Sequence, residues 1–555
     1  MKDFSTPLEA FNYWLAQDPN HVFLRQPINR KFIEYTRAEV FRQASKIASS
    51  LHDLGLNRGD HVALLSKNCS HWFMADLAMM IGGFISIPLY PTLDKDSINE
   101  ILIHSESKAI IIGKLDNYDF QKEGIPDIPK IGVRLYGIEE EHAWEELVLK
   151  EFETFEPVDQ DPESIISIMY TSGTTGNPKG VMHKVKSFNL VASVIKEVYE
   201  IPPSLKLFSY LPLSHVAERI AIEMSAFYNN ATVTFPESLD TFAEDLAWTC
   251  PDIFVGVPRI WQKFQEKILE KVPQRKLDRL LSIPILSGIV KKSIQKKLGL
   301  QNAIFCASGA APLAVSLQEW YGRLGIQIIQ SYGMTEDCIL SHFNIPSTNR
   351  FGTVGRPLPH VQSKLSAEGE ILVKNPCLMI GYYKEPEKTA EMFTEEGFLR
   401  TGDIGEFDHD GYLHITGRIK DQFKTDKGKY VSPAAIELEL SKNEDIEQVC
   451  VVGMGIAQPM ALIIPSEAGR KKEKMEFEKS ILKTIDDLNP TLKSHEKLAK
   501  AVVMKEEWSV DNGLMTPSLK IRRNRVESIH QHMYQTWFDE PERIVFENDF
   551  KGAAL

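Results

Sequence analysis

Apolar residues recur along the first four hundred positions with two alternating periods. Val40, Phe41, Ala44, Ile47, Ala48, Leu51 and Leu54 share one helical face, with Thr36 placed to cap it and Gly55 to close it. Val62–Leu65 then reads as a buried strand, Trp72–Met80 as a helix, and Phe84–Ile87 and Ala109–Ile112 as further strands. More short apolar runs follow at Ile165–Met169, Lys206–Tyr210, Ala231–Phe235, Ile253–Val255, Ala303–Cys306 and Ile326–Ile329. Strands alternating with helices predict an α/β fold of mainly parallel sheets covered by helices. The Lys-rich stretch Trp261–Leu298 is predicted to be helical and to pack on the outside. After about residue 400 the pattern changes. A hairpin is expected at Ile404–Phe407 and Tyr412–Ile415 around the turn Asp408–Gly411. Strands at Val449–Val452, Ala461–Ile464 and Ala501–Met504, with a helix over Glu473–Leu488, define a smaller α+β unit. The boundaries expected are residues 1–417 for the large domain and 418–555 for a small, mobile one.

Between the strand Ile165–Met169 and a return strand Gly180–His183 lies a loop dense in hydroxyls and glycines. Thr171, Ser172, Thr174 and Thr175 alternate with Gly173 and Gly176, and Lys179 follows. Glycines let the backbone close on a ligand, and the hydroxyls and amides suit polyphosphate oxygens. This is not a Walker A loop, because Pro178 precedes Lys179 and Gly180 follows it. The plain alternative is a polar surface turn, disfavoured by the strands on both sides and the lysine.

Bulk properties narrow the class. A chain of 555 residues exceeds one compact core, and its 43% apolar and 25% charged residues are those of an ordinary globular protein. A net charge of −13 argues against a nucleic-acid partner. The six cysteines form no CxxC pair, which predicts neither a disulfide framework nor a zinc site. No apolar stretch is long enough to span a bilayer, and the N-terminus lacks a signal-like apolar run. The expectation is a soluble, cytoplasmic protein, with peripheral contact at the inner membrane face and the oligomeric state left open.

Four further segments carry chemistry in order along the chain: Ser308-Gly-Ala-Ala-Pro312, Ser331-Tyr-Gly-Met-Thr-Glu336, Thr401-Gly-Asp403 with Gly417-Arg418-Ile-Lys420, and Thr516-Pro-Ser-Leu-Lys520. With the first loop they resemble the adenylate-forming (AMP-binding) enzymes over nearly the whole chain. The resemblance implies ATP, Mg²⁺ and coenzyme A as co-substrates and cofactor, and attack of a carboxylate on the α-phosphate of ATP. It implies that the loop with Lys179 grips pyrophosphate, that Glu336 and Thr335 serve the Mg²⁺, and that Tyr332 stacks on adenine. Gly309, Ala310 and Ala311 would form the opposite wall, beside Ser331 and Gly333. Asp403 would hold the ribose hydroxyls, with Arg418 beside it, and Lys420 would be the hinge. Lys520 would neutralise the reacting oxygens, then leave as the small domain rotates and brings Gly428 toward the coenzyme A arm. Leu519 departs from the glycine of many relatives. Read without the resemblance, Thr335-Glu336 is equally an N-cap pair, Tyr332 a core aromatic, Asp403 a turn residue and Lys520 part of a solvated basic face with Arg522, Arg523 and Arg525.

The segment Leu211-Pro-Leu-Ser-His-Val-Ala-Glu-Arg219 resembles that of long-chain fatty acyl-CoA synthetases. It implies that His215 lines or gates the acyl pocket, against the alternative of a structural histidine. The expected activity is ATP-dependent ligation of a long-chain fatty acid to coenzyme A. The rivals are a fatty acyl-AMP ligase, another acid–CoA ligase of aryl or medium-chain preference, a luciferase-like oxidoreductase, and a non-catalytic binding descendant. Two other patterns are rejected. Asp408-x-Asp410-Gly411 lacks the glutamate a calcium loop needs at its twelfth position, and Gly453-Met-Gly455 has Gln458 where a dinucleotide fingerprint needs glycine.

Overall fold

The computed structural model describes residues 3–151, 159–172, 178–510, 512–516 and 520–547. Among these, two large sheets dominate. In the first, the parallel strands Ile328–Tyr332, Phe305–Ser308, Ile253–Val255, Ser204–Phe208, Asn230–Thr234 and Val22–Ile28 lie side by side. Short antiparallel strands close both of its edges. In the second, Ile165–Ser172, Ile85–Leu89, His61–Leu65, Ala109–Ile112 and Lys130–Gly132 run parallel. The antiparallel strands Pro178–Lys184 and Gly381–Tyr382 extend one edge of it.

Helices between the sheets form the middle layer, and the sequence pattern shows why. Ser70–Gly82 is apolar on all sides and buried at every residue, because both of its faces meet a sheet. Arg37–Asp53 is amphipathic and begins with a capping box between Thr36 and Glu39, as its pattern predicts. On the outer face of the first sheet, the Lys-rich stretch forms three helices, Pro258–Lys271, Gln274–Ser282 and Pro284–Lys297.

One buried ion cluster ties the middle layer together. Arg219 is fully buried, paired with Asp76 of Ser70–Gly82 and, at 3.3 Å, with Glu223. It also donates to Ser167 Oγ at 2.9 Å, on the strand leading to the phosphate loop. The Phe188 ring lies 5.1 Å from the guanidinium. Burial, then the neighbouring Asp76, holds the Glu223 carboxyl well above its usual range, so the pair depends on the arginine.

The hairpin near residue 400 is part of a four-stranded antiparallel sheet, Gln362–Leu365, Glu370–Lys374, Leu399–Phe407 and Leu413–Arg418. Its turn is held by Arg350, which pairs with Asp408 and, at 2.7 Å, with Asp410. Those carboxylates are engaged in a turn, consistent with rejecting a calcium loop. Ile419–Asp421 is a single 3-10 turn. Beyond it Ile446–Val452, Met460–Pro465, Lys500–Val503 and Ile544–Phe546 form a second, smaller sheet backed by Lys474–Leu488. Gly453 and Gly455 sit in the turn between two antiparallel strands, where no helix follows to receive a dinucleotide.

Arg219→Ala is expected to destabilise the protein by about 3–5 kcal/mol, because two buried carboxylates lose their partner. A thermal unfolding midpoint equal to that of the parent protein would show that Asp76 and Glu223 are satisfied without it.

Candidate active site

Two strands and their partner set one end of the candidate site. Ile165–Ser172 and Pro178–Lys184 pair in antiparallel register, with Thr171 opposite Lys179 and Ser172 opposite Pro178. The two strands that flank residues 173–177 are therefore direct antiparallel neighbours. Gly173, Thr174, Thr175 and Gly176 lie outside the described residues, as does Leu519. Lys179 holds its ammonium 4.8 Å from the centre of the Tyr382 ring, a cation–π contact. Tyr382 reaches this place because Gly381–Tyr382 pairs with Pro178–Lys184. Its hydroxyl donates to Glu336 Oε1 at 2.8 Å. Burial, reinforced by Glu336, raises the Tyr382 phenol far above its usual range, so it remains a donor.

Thr335 and Glu336 occupy a buried turn after the strand Ile328–Tyr332, with no helix starting there, so the N-cap alternative falls. His183 Nε2 donates to the Thr335 carbonyl at 2.7 Å, and burial lowers the His183 pKa to about 4. The imidazole is thus neutral and its tautomer is fixed by that bond. Gly333 needs to lack a side chain, since a Cβ would stand 2.7 Å from the Ile339 backbone. Among the described residues no three His, Cys, Asp or Glu side chains gather around a common point. Mg²⁺ does not require such a cage, because it commonly takes one or two carboxylates and completes its shell with phosphates and water. Hard oxygens from Glu336 and Thr335 fit that donor set.

At the other end, Tyr332 closes the strand Ile328–Tyr332 and donates its hydroxyl to Asp403 Oδ2 at 2.8 Å. Asp403 stands in the strand Leu399–Phe407, not in a loose turn, directly opposite Arg418. Arg418 Nε donates to Asp403 Oδ1 at 2.6 Å. Ser308-Gly-Ala-Ala-Pro312 leaves the adjacent strand, and Gly309 would bring a Cβ to 3.0 Å from Ser331 Oγ. Ala310 adopts φ +66°, a left-handed conformation that a residue with a Cβ rarely takes. Ala310 and Ala311 are both exposed, consistent with a wall facing a cleft.

Lys520 brings the small domain into this site. Its pKa falls from 10.5 to about 8, first through burial and then through the neighbouring Arg418 charge, opposed by Asp403 and Glu336. Residues from three separate chain segments thus converge on one lysine. Thr516 and Lys520 exchange two bonds, Thr516 N to Lys520 O at 2.8 Å and Lys520 N to Thr516 Oγ1 at 3.0 Å, and so brace the lysine's own loop. His215 faces the same lysine, whose charge helps burial lower the imidazole pKa to about 4. Its Nδ1 accepts from Ala217 N at 3.1 Å, so the histidine also caps a short helix. Lys420 and Gly428 follow Arg418 along the chain. The first lies in the 3-10 turn after Arg418, and the second has φ +70° at the open tip of the hairpin Phe423–Lys424 and Tyr430–Val431.

The sequence reading missed Tyr382, His183 and Asn68. Asn68 donates to Ser209 Oγ at 2.8 Å and to Leu211 O at 2.7 Å, and accepts from Leu213 N at 3.2 Å, which shapes the approach to His215. None belongs to a spacing pattern that would signal its role. Each reaches the site only through strand pairing or packing.

The fold is shared with solved structures. The adenylation domain of a carboxylate reductase from Mycobacterium chelonae superposes with a TM-score of 0.78 at 20% identity, over 96% of this chain and 91% of that one. An anthranilate CoA ligase in complex with anthranoyl-AMP gives 0.78 at 21% identity, over 95% and 98%. The family model described as "AMP-binding enzyme" matches residues 11–383, and that of its C-terminal domain matches residues 420–540. The chain belongs to the AMP-binding enzyme family. Long chain acyl-CoA synthetase 7, peroxisomal, of Arabidopsis thaliana is 30% identical, over 90% of this chain and 80% of that protein. Fatty acyl-CoA synthetase A of Dictyostelium discoideum is 28% identical, over 92% and 86%. By family, the chain is an AMP-forming acid–CoA ligase. No helix among the described residues is long and apolar enough to cross a membrane.

Amine-directed labelling of Lys520 should titrate with a midpoint near pH 8, since the free amine forms as pH rises through that value. ATP should protect the lysine and move the midpoint upward, because phosphate anions favour the ammonium. A midpoint near the ordinary 10.5 would mean that Lys520 is not docked among these groups.

Proposed function

We propose that this enzyme is an ATP-dependent long-chain fatty acid–CoA ligase, with residues 1–417 holding the nucleotide and acid and residues 418–555 switching between two half-reactions. The observation that carries the reading is the partly buried Lys520, within electrostatic reach of Arg418, Asp403, Glu336 and His215. Joining two anions requires their charges to be neutralised and aligned. In the first half-reaction a carboxylate oxygen bonds to the α-phosphorus of ATP and the bond to pyrophosphate breaks. Lys179 balances the leaving pyrophosphate, Asp403 takes the ribose hydroxyls, Tyr332 packs on the adenine, and Lys520 faces the reacting oxygens. Mg²⁺ bound by Glu336 and Thr335 would supply further positive charge at the phosphates. Tyr382 holds the Glu336 carboxylate in place by its hydroxyl. In the second half-reaction the coenzyme A sulfur bonds to the acyl carbon and AMP leaves, so Lys520 must withdraw.

The interface suits that exchange. Gly417 approaches Ser432 so closely that a Cβ would meet its hydroxyl at 2.1 Å, so the chain just before the hinge has no room for a side chain at that position. Arg259, on the first helix of the Lys-rich stretch, pairs with Glu447 at 2.9 Å and Glu507 at 3.2 Å across the interface, and Lys263 pairs with Glu447 at 3.2 Å. Arg259 also reaches Met515 Sδ at 3.7 Å, at the root of the Lys520 loop. These partly exposed pairs are individually weak, so they can hold the adenylation pose without locking it. The long-chain preference is supported by the names of the relatives and by the Leu211–Arg219 segment beside the cluster. A plain apolar tunnel would favour length by roughly 0.8 kcal/mol per methylene.

The deciding assay supplies ATP, Mg²⁺ and straight-chain acids of increasing length, with and without coenzyme A. Acyl-CoA formation rising toward long acids is expected. Pyrophosphate without acyl-CoA would point instead to an acyl-AMP ligase, and no pyrophosphate with any acid to a binding protein. Lys520→Ala should slow adenylation by about 10²–10³-fold, the size expected for one lost transition-state donor, while supplied acyl-adenylate still yields thioester. Arg259→Ala should shift the same balance in the same direction by about tenfold, from the ion pairs lost at the interface. Equal loss of both half-reactions in either variant would overturn the domain switch.

A further inference from the structure

The Lys-rich stretch on the outer face carries a surface that the ligase reading does not use. Where Gln274–Ser282 gives way to Pro284–Lys297, four large aliphatic side chains stand in solvent within seven residues. Ile283 is 47% exposed, Ile285 81%, Leu286 38% and Ile289 61%. Single exposed aliphatics are ordinary, but a cluster at the tip of a helical pair is not. Ile285 and Ile289 lie one turn apart on the second helix. Lys292 and Lys296, both exposed, continue the same stripe over the next two turns. Arg275, Lys276 and Arg279 are exposed on the preceding helix.

The charge of this stretch opposes that of the whole chain. From Lys271 to Lys297 there are eight basic residues and one acidic residue, in a chain whose net charge is −13. The single acid, Asp278, is already paired with Arg323. A protein that is acidic overall thus concentrates cations around its most exposed aliphatic tip. An apolar tip ringed by lysine and arginine matches the layered chemistry of an anionic bilayer, with acyl chains inside and phosphates at the boundary.

We propose that the tip Ile283–Ile289 docks this protein on an anionic lipid surface, the aliphatic side chains entering the acyl boundary and Arg279, Lys292 and Lys296 meeting the phosphates. For the long-chain acids proposed above, such docking would put the enzyme where an apolar acid accumulates. The docking itself stands on the exposed residues and their charge, and does not depend on which acid is used.

The test is sedimentation of the full-length protein with vesicles of phosphatidylcholine alone or with about 30% phosphatidylglycerol, at low and high salt. Binding is expected to the anionic vesicles and to weaken with salt. Ile285→Glu with Ile289→Glu should reduce bound protein by about tenfold or more, and Lys292→Glu with Lys296→Glu should remove the preference for anionic lipid. All four positions are exposed and none belongs to the candidate site, so ATP- and acid-dependent pyrophosphate release with a water-soluble acid should not change in either variant. The proposal is overturned if the parent protein stays in the supernatant with anionic vesicles, or if the isoleucine variant binds as well as the parent. It is equally overturned if that variant converts a dimer to a monomer by light scattering, since the tip would then be covered by a second copy.

Discussion

A carboxylate taken out of water needs partners, and Asp403 finds them in two different sheets. Tyr332 ends a strand of the nine-stranded sheet and donates to one oxygen, while Arg418, from the neighbouring strand of the antiparallel sheet, donates to the other. These bonds fix the angle between the two sheets at the mouth of the cleft. They also leave Arg418 close enough to oppose the charge of Lys520. The small domain therefore docks against a carboxylate that already accepts one bond at each oxygen. A lysine desolvated beside an arginine is an unfavourable cation until an anion arrives, which is why nucleotide would strengthen this pose instead of merely filling it.

The phosphate end is built by a similar economy of contacts. One strand, Pro178–Lys184, carries Lys179 and His183 on its two ends and pairs with the two-residue strand that delivers Tyr382. Tyr382 then touches Lys179 through its ring and Glu336 through its hydroxyl. His183 holds the backbone of Thr335 from the other side. The cation and the carboxylate proposed to face phosphate are thus positioned by the same strand, although more than 150 residues separate them in sequence. Behind that strand, the buried Arg219 cluster binds its partner strand to the middle helical layer. The strand that carries Thr171 is thereby anchored to the buried layer.

The Lys-rich stretch has two faces with different work. Its first helix meets the small domain through Arg259 and Lys263. Its last two helices turn their aliphatic tip and remaining cations outward. Sequence pattern placed this stretch on the outside and as helix, but it could not separate the faces, because lysine spacing does not reveal which carboxylates lie opposite.

Much of the fold was legible from periodicity. Buried parallel strands such as Ala109–Ile112 and the capped helix behind Thr36 carry their own signals, because each must hide apolar surface or satisfy its first amides locally. Boundaries were less legible. Ser70–Gly82 outran its predicted ends because the second sheet covers positions that a one-faced helix would leave polar. The five motifs pointed to an adenylating site through their resemblance, in order, to those of a known family; residue type alone suggested phosphate only at the first loop. Their assembly was a matter of tertiary structure. A turn residue remained an alternative for Asp403 until register set it across from Arg418, and a helix cap remained one for Thr335-Glu336 until no helix followed. Tyr382, Asn68 and the Arg219 cluster gave no signal at all, since their value comes from partners far along the chain. The sequence by itself determined the elements and the chemistry available, through local pattern and residue type. Only the tertiary structure decided which charges share a buried space, and therefore which lysine meets which carboxylate.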